Sequence, residues 1–109
     1  LLAHDSQYVD DLEHASLGAP EALKRFTEPD TQVGEDTFSC AMASAGAVVR
    51  AVDAIYARSV KNAFCAVRPP GHHASRSRAS GFCYLNNAAI GALCVALFGH
   101  DCTSLRDGA

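Results

Sequence analysis

The sequence has no Cys-x-x-Cys pair, no run of basic residues and no uninterrupted apolar stretch approaching the roughly 20 residues that span a bilayer. Each absence removes a class of function. Nine Lys and Arg residues are scattered against 12 Asp and Glu, for a net charge of −3, which leaves no electrostatic footprint for nucleic acid or an anionic membrane. The opening "LLAHDSQYVDD" has neither a basic leader nor a sustained apolar core, so no signal peptide is expected. Five cysteines (Cys40, Cys65, Cys83, Cys94, Cys102) are an odd count, which argues against a disulfide framework. Most sit among Ala, Val, Phe and Leu, where a reduced cysteine acts as a small hydrophobe. A reducing, cytoplasmic setting is expected.

What is present is a globular composition. At 109 residues, 49% hydrophobic and 19% charged, the chain reads as one domain at most, or as part of a larger one. Residues 6–16 form a short helix by pattern, with Ser6 as N-cap and Tyr8, Val9 and Leu12 on one face. Residues 17–34 are mostly loop, with a helical turn from Pro20 to Phe26, where proline suits the first helical position. From Glu35 to Arg58, Phe38, Met42, Ala45, Val48, Val49, Val52, Ile55 and Tyr56 recur at helical steps, predicting a long helix with one buried face. Its Ala and Gly residues would admit a second backbone at close range. Residues 62–67, "NAFCAV", suit a strand buried on both faces. Asn86 to Phe98 read as a second apolar helix, with Gly99 as its stop.

Between that strand and that helix lies "RPPGHHASRSRASGFCYLNN", residues 68–87. Pro69 and Pro70 have fixed φ and no N–H, so they end the strand; Gly71 gives freedom at the turn. His72 and His73 therefore leave the end of a buried strand, where ligands collect in open α/β sheets. An imidazole titrates near about pH 6.5 and can take a proton from water and return it to an amine. Two adjacent imidazoles resist carrying two positive charges, which suits them to different roles. A vicinal pair in a loop is also compatible with a solvated or structural role.

The run R-P-P-G-H-H-A, six residues, then G-F-C-Y-L-N-N resembles the signature of the zinc-dependent deacetylase family, which includes histone deacetylases and acetylpolyamine amidohydrolases of the arginase–deacetylase superfamily. "EPDT", "SAGAVVRAVDAI" and "NAFCAVRPP" continue the resemblance in order. It implies an α/β fold, here a partial arginase/deacetylase-like three-layer arrangement that is helix-rich with few strands, as a single partial domain over 1–109. It also implies roles: His73 as general base and acid, His72 as its charge-stabilising partner, and Asp30 as the rim aspartate that hydrogen-bonds substrate backbone. Gly81 and Phe82 resemble the lining of an acyl-lysine tunnel, and Cys83 a pocket cysteine that is not the nucleophile. Without the resemblance, Asp30 reads equally as a turn aspartate, Phe82 as core, Arg68 as a structural ion-pair partner, and Asn86 and Asn87 as helix caps.

The family's zinc ligands are two aspartates and a histidine, two of them from an Asp-x-Asp-x-His-His-type strand end. The sequence reaches "LRDGA" about where that strand should begin, and the strand that normally precedes "HDSQYVDDL" is not seen. His100 and Asp101 do not reproduce the ligand spacing. Zinc belongs to the intact family, with none expected on this chain alone, which is accordingly expected to lack deacetylase activity by itself. Expected partners are an acetylated amine or acetyl-lysine in the intact family and a second copy of the chain in a homo-oligomer, with no nucleic acid and no membrane. Two other readings stay open: an inactive module that persists by self-assembly, and a cysteine hydrolase pairing Cys83 with His72 or His73.

Overall fold

The computed structural model describes residues 3–98, with the side chains of 97 and 98 undescribed. Four helices form in the expected order: α1 (Ser6–Ser16), α2 (Pro20–Leu23), α3 (Thr37–Tyr56) and α4 (Asn87–Phe98). Asp5, rather than Ser6, caps α1, and its side chain makes no cap bond because its carboxylate is engaged by Arg76 and Ser77. α1 ends on Gly18, at φ 88°, where the amides of Gly18 and Ala19 return to the carbonyls of Ala15 and His14 in a Schellman-type stop. α2 places Pro20 at its start, as expected.

α3 begins at Thr37. The amide of Phe38, unpaired within its own first turn, donates to Ser16 Oγ at the end of α1 at 3.0 Å, so one helix caps another. The buried residues of α3 are Ala41, Ser44, Ala45 and Val49. This narrows the expected apolar face, since Met42, Ile55 and Tyr56 are exposed. The reason is steric: the small residues are the ones that let neighbouring backbone close in. The same holds where α4 crosses, since a Cβ on Gly91 would lie 2.7 Å from Val48 Cγ1. Val49 and Cys94 form the buried contact there, flanked by Val52 and Ile90.

The expected strand at residues 62–67 is absent. The segment carries no ladder, and Phe64 is 92% exposed. A strand needs a second backbone beside it to take its N–H and C=O groups, and no described segment lies there in a ladder. Among the described residues the only β pairings are two isolated bridges, Ser75 with Arg78 and Ser80 with Cys83. Gly99, the expected stop of the last helix, lies outside the described residues. By length and composition alone α3 is long and apolar enough to cross a membrane. Counting unbroken apolar runs missed it because Arg50 and Asp53 interrupt the sequence. Among the described residues Cys40, Cys65 and Cys83 are free thiols.

The main core joins Tyr8 and Leu12 of α1, Ala41 and Ala45 of α3, and Ala79, Tyr84 and Leu85 of the loop before α4. The histidine-bearing loop is thus part of the core rather than an appendage. Complete burial of a Leu12-sized side chain contributes about 1.5–3 kcal/mol, so the packing that stabilises the fold also fixes the loop.

Candidate functional site

The loop is closed at its neck. Ser44 Oγ, buried on α3, donates to the Pro69 carbonyl at 2.8 Å. Asn87 Nδ2, at the start of α4, donates to Ser44 Oγ at 2.7 Å and to the same carbonyl at 3.4 Å. Gly71 lies against the returning chain so tightly that a Cβ would sit 2.4 Å from Asn87 N and 2.5 Å from Leu85 O. Glycine is therefore required here for close backbone approach. The two asparagines have different roles: Asn86 caps α4 by accepting the Ala89 amide at 3.0 Å, while Asn87 ties α3 to Pro69.

His4 and Tyr8, one turn apart, hold the loop's two legs. His4 is 1% exposed. Its Nδ1 donates to the Arg76 carbonyl at 3.1 Å, and its Nε2 accepts the Asn86 amide at 2.9 Å. Only a neutral imidazole protonated on Nδ1 meets both partners. Burial, the largest influence, pushes the His4 pKa below its ordinary value. Its ring stacks on Tyr8 at 5.2 Å, and the Tyr8 hydroxyl donates to the Tyr84 carbonyl at 2.6 Å. Burial pushes the Tyr8 phenol well up, so it stays a donor. On the surface Asp5 engages Arg76 and Ser77, and Arg78 pairs with Glu28.

Within this frame His72 and His73 are exposed at the surface, with ring centroids 4.3 Å apart and planes inclined by 51°. Ser80 and Cys83 exchange two backbone bonds of 3.1 and 2.9 Å, closing a two-residue turn. Its central residues, Gly81 and Phe82, have φ of 56° and 65°, as a type I′ turn requires. Gly81 is pressed under His73, where a Cβ would lie 2.8 Å from Cγ and Cδ2 of the imidazole. Cys83 is fully buried; its sulfur accepts the His73 backbone amide at 3.4 Å and its thiol donates to the Gly81 carbonyl at 3.3 Å. The thiol thus meets His73 through its backbone, which is not the geometry of a nucleophile–base pair.

Phe82 is 61% exposed, and a left-handed conformation costs a non-glycine residue roughly 1–2 kcal/mol. Its amide donates to Thr31 Oγ1 at 2.9 Å, and that hydroxyl donates to Asp30 Oδ1 at 2.8 Å. Asp30 therefore reaches the Gly81–Phe82 turn through Thr31. The Tyr84 hydroxyl donates to the Gln32 carbonyl, and its pKa is raised by burial and then by the negative charge of Asp30. Phe82 and Tyr84 also line a surface groove with Asp36, Cys40, Arg68 and Pro70, from which His72 and His73 are absent.

The structure thus gathers His72, His73, Gly81, Phe82 and Cys83 on one loop and links Asp30 to it. Sequence reasoning missed His4, Tyr8, Thr31 and Ser44 as contributors. Only Tyr8 had a signal, its place on the apolar face of α1; partners 25 to 82 positions away leave no local pattern. Among the described residues no group of three His, Cys, Asp or Glu side chains could hold a metal ion, so these residues do not fit the zinc that the resemblance implies. His100 and Asp101 lie outside the described residues.

The chain matches the Histone deacetylase domain over residues 1–100. It is 40% identical over 95 residues to the polyamine deacetylase HDAC10 of Danio rerio, which covers 85% of this chain and 14% of that protein. It is 46% identical over 61 residues to a probable deacetylase of Archaeoglobus fulgidus, covering 56% of this chain and 17% of that one. The crystal structure of the HDA15 HD domain superposes with a TM-score of 0.77 at 37% identity, over 90% of this chain and 27% of that one. The chain therefore spans about a seventh of the first of these relatives, and the fold is that of part of a deacetylase domain. On these matches, together with the histidine loop and its neck, this chain belongs to the histone deacetylase domain family.

Proposed function

We propose that this segment supplies the proton-transfer pair and part of the acyl-chain wall of an enzyme hydrolysing acetylated amines, either acetyl-lysine or an acetylated polyamine. The observation that carries the reading is the seating of His73 on Gly81 with His72 beside it. One imidazole is fixed in place by close packing, a second lies within reach, and an exposed aromatic stands on the same turn. In the reaction, water oxygen bonds to the amide carbonyl carbon as His73 takes its proton. The C–N bond then breaks and His73 delivers that proton to the departing nitrogen, giving acetate and a free amine. His72 stabilises the charge that develops beside it. Phe82 offers an apolar face to the alkyl chain and Asp30 an acceptor at the rim.

The test is a graft of residues 1–100 in place of the matched segment of the Danio rerio polyamine deacetylase. The chimera is expected to release acetate from an N-acetylated polyamine or an N-acetyl-lysine peptide, and His73→Ala to lower kcat by roughly 10²- to 10⁴-fold. A chimera whose turnover ignores His73→Ala sinks the reading. A second reading rests on Phe64 and Leu17, 92% and 78% exposed: a non-catalytic module whose apolar surface is covered by another copy. Light scattering decides it, since a stable monomer leaves no place for that assembly.

A further inference from the structure

Thr31 stands between two groups to which the proposed reaction assigns substrate contacts, and it touches both with one atom. Its side chain has no exposed surface. The hydroxyl has a single proton, which it gives to Asp30 Oδ1 at 2.8 Å, leaving its lone pairs for the amide of Phe82 at 2.9 Å. The direction of this chain is set by chemistry. An amide only donates and a carboxylate only accepts, so the hydroxyl must accept from one and donate to the other. A bond donated to a charged carboxylate polarises the hydroxyl oxygen and strengthens what it accepts.

We propose that Thr31 is a positioning residue for the acyl-amide site, holding the Asp30 carboxylate and the Gly81–Phe82 turn in one fixed relation. The inference rests on the deacetylase reading for its purpose, but not for its geometry. Phe82 has φ 65°, a conformation costly for a non-glycine residue, and Thr31 adds a bond to its amide beyond the turn's own bonds between Ser80 and Cys83 and between Cys83 and Gly81. The Tyr84 hydroxyl on the Gln32 carbonyl forms a second link between the same two segments, so residues 30–32 and 82–84 are joined at two points. A shift of the rim aspartate is thereby transmitted to the aromatic wall. Serine preserves this relay and valine, similar in shape, removes it.

The experiment is residue-resolved amide hydrogen exchange of the full chain, read at Phe82. Thr31→Val is expected to speed Phe82 exchange by about tenfold, while Thr31→Ser restores protection to within about threefold of the parent. Asp30→Ala, at an exposed position that does not threaten folding, is expected to speed Phe82 exchange by about threefold through the intervening hydroxyl, and Asp30→Asn, which keeps an acceptor, to do so less. Equal loss in the serine and valine variants would assign the effect to methyl packing and overturn the proposal. So would Phe82 exchange indifferent to Asp30→Ala, an arm that stands even if Thr31→Val does not fold. No arm depends on turnover, so a failure of the deacetylase reading leaves this result standing and separately legible.

Discussion

Gly81 lies directly beneath the imidazole of His73, with room for a hydrogen but not for a methyl group, which would stand 2.8 Å from Cγ and Cδ2. The turn therefore sets where the histidine sits. Gly81→Ala is expected to destabilise the chain by about 1–3 kcal/mol in urea unfolding and to shift the ring resonances of His73. Gly18→Ala is the matched control: φ is 88° there but nothing lies within 4 Å of the added Cβ, so it should show the backbone cost alone. His73 resonances unchanged in the Gly81 variant would refute the contact.

At the loop's neck the obstruction is backbone rather than side chain. Gly71→Ala would bring a Cβ within 2.4 Å of Asn87 N and 2.5 Å of Leu85 O, and neither moves without displacing the start of α4. A loss of about 3 kcal/mol or more is expected, measured by chemical denaturation, with weakened amide protection at the start of α4. A loss under about 1 kcal/mol would mean that the neck opens freely.

Ser44 and Asn87 form one network with the Pro69 carbonyl, and each alanine substitution is expected to cost about 1–3 kcal/mol. Because the bonds are shared, the double variant should cost less than the sum by about 0.5 kcal/mol or more. Strict additivity in the double-mutant cycle would argue that the two act independently.

His4 gives the chain a pH dependence of definite sign. Its folded-state pKa is depressed, first by burial, so the folded form binds fewer protons than the unfolded form. Its contribution is complete above the unfolded value of about 6.5 and is lost as pH falls from there through the lower folded value. Protonation would turn Nε2 into a donor facing the Asn86 amide, while Arg76 and Tyr8 pack around the ring. Thermal unfolding between pH 7 and 5 is expected to show a falling Tm that is flatter in His4→Gln, whose amide retains a donor and an acceptor. Parallel curves for the two proteins would show that His4 is not the group responsible.

The helices were legible because their signals are local. Tyr8 and Leu12 on one face of α1, Pro20 at the start of α2 and the three- and four-residue steps of α3 are satisfied within a few turns of the same segment. The face of α3 was legible only in part: Ala45 and Val49 are buried as expected and Met42 and Ile55 are not, while burial also took in Ala41 and Ser44, which hydropathy did not mark. The strand at residues 62–67 was unreadable in the opposite sense. Its residues have strand character, but a strand exists only with a partner, and sequence pattern does not supply one.

The sequence by itself determined the four helices, the histidine pair and the order of motifs that marks the family, since each depends on residues close together along the chain. Tertiary structure alone decided that His4 clamps a loop 72 to 82 residues away, that Gly81 is the seat of His73, and that Asp30 reaches Phe82 through Thr31. Those relations depend on which distant donors and acceptors come within about 3 Å once the core closes, and burial then makes leaving any of them unpaired costly.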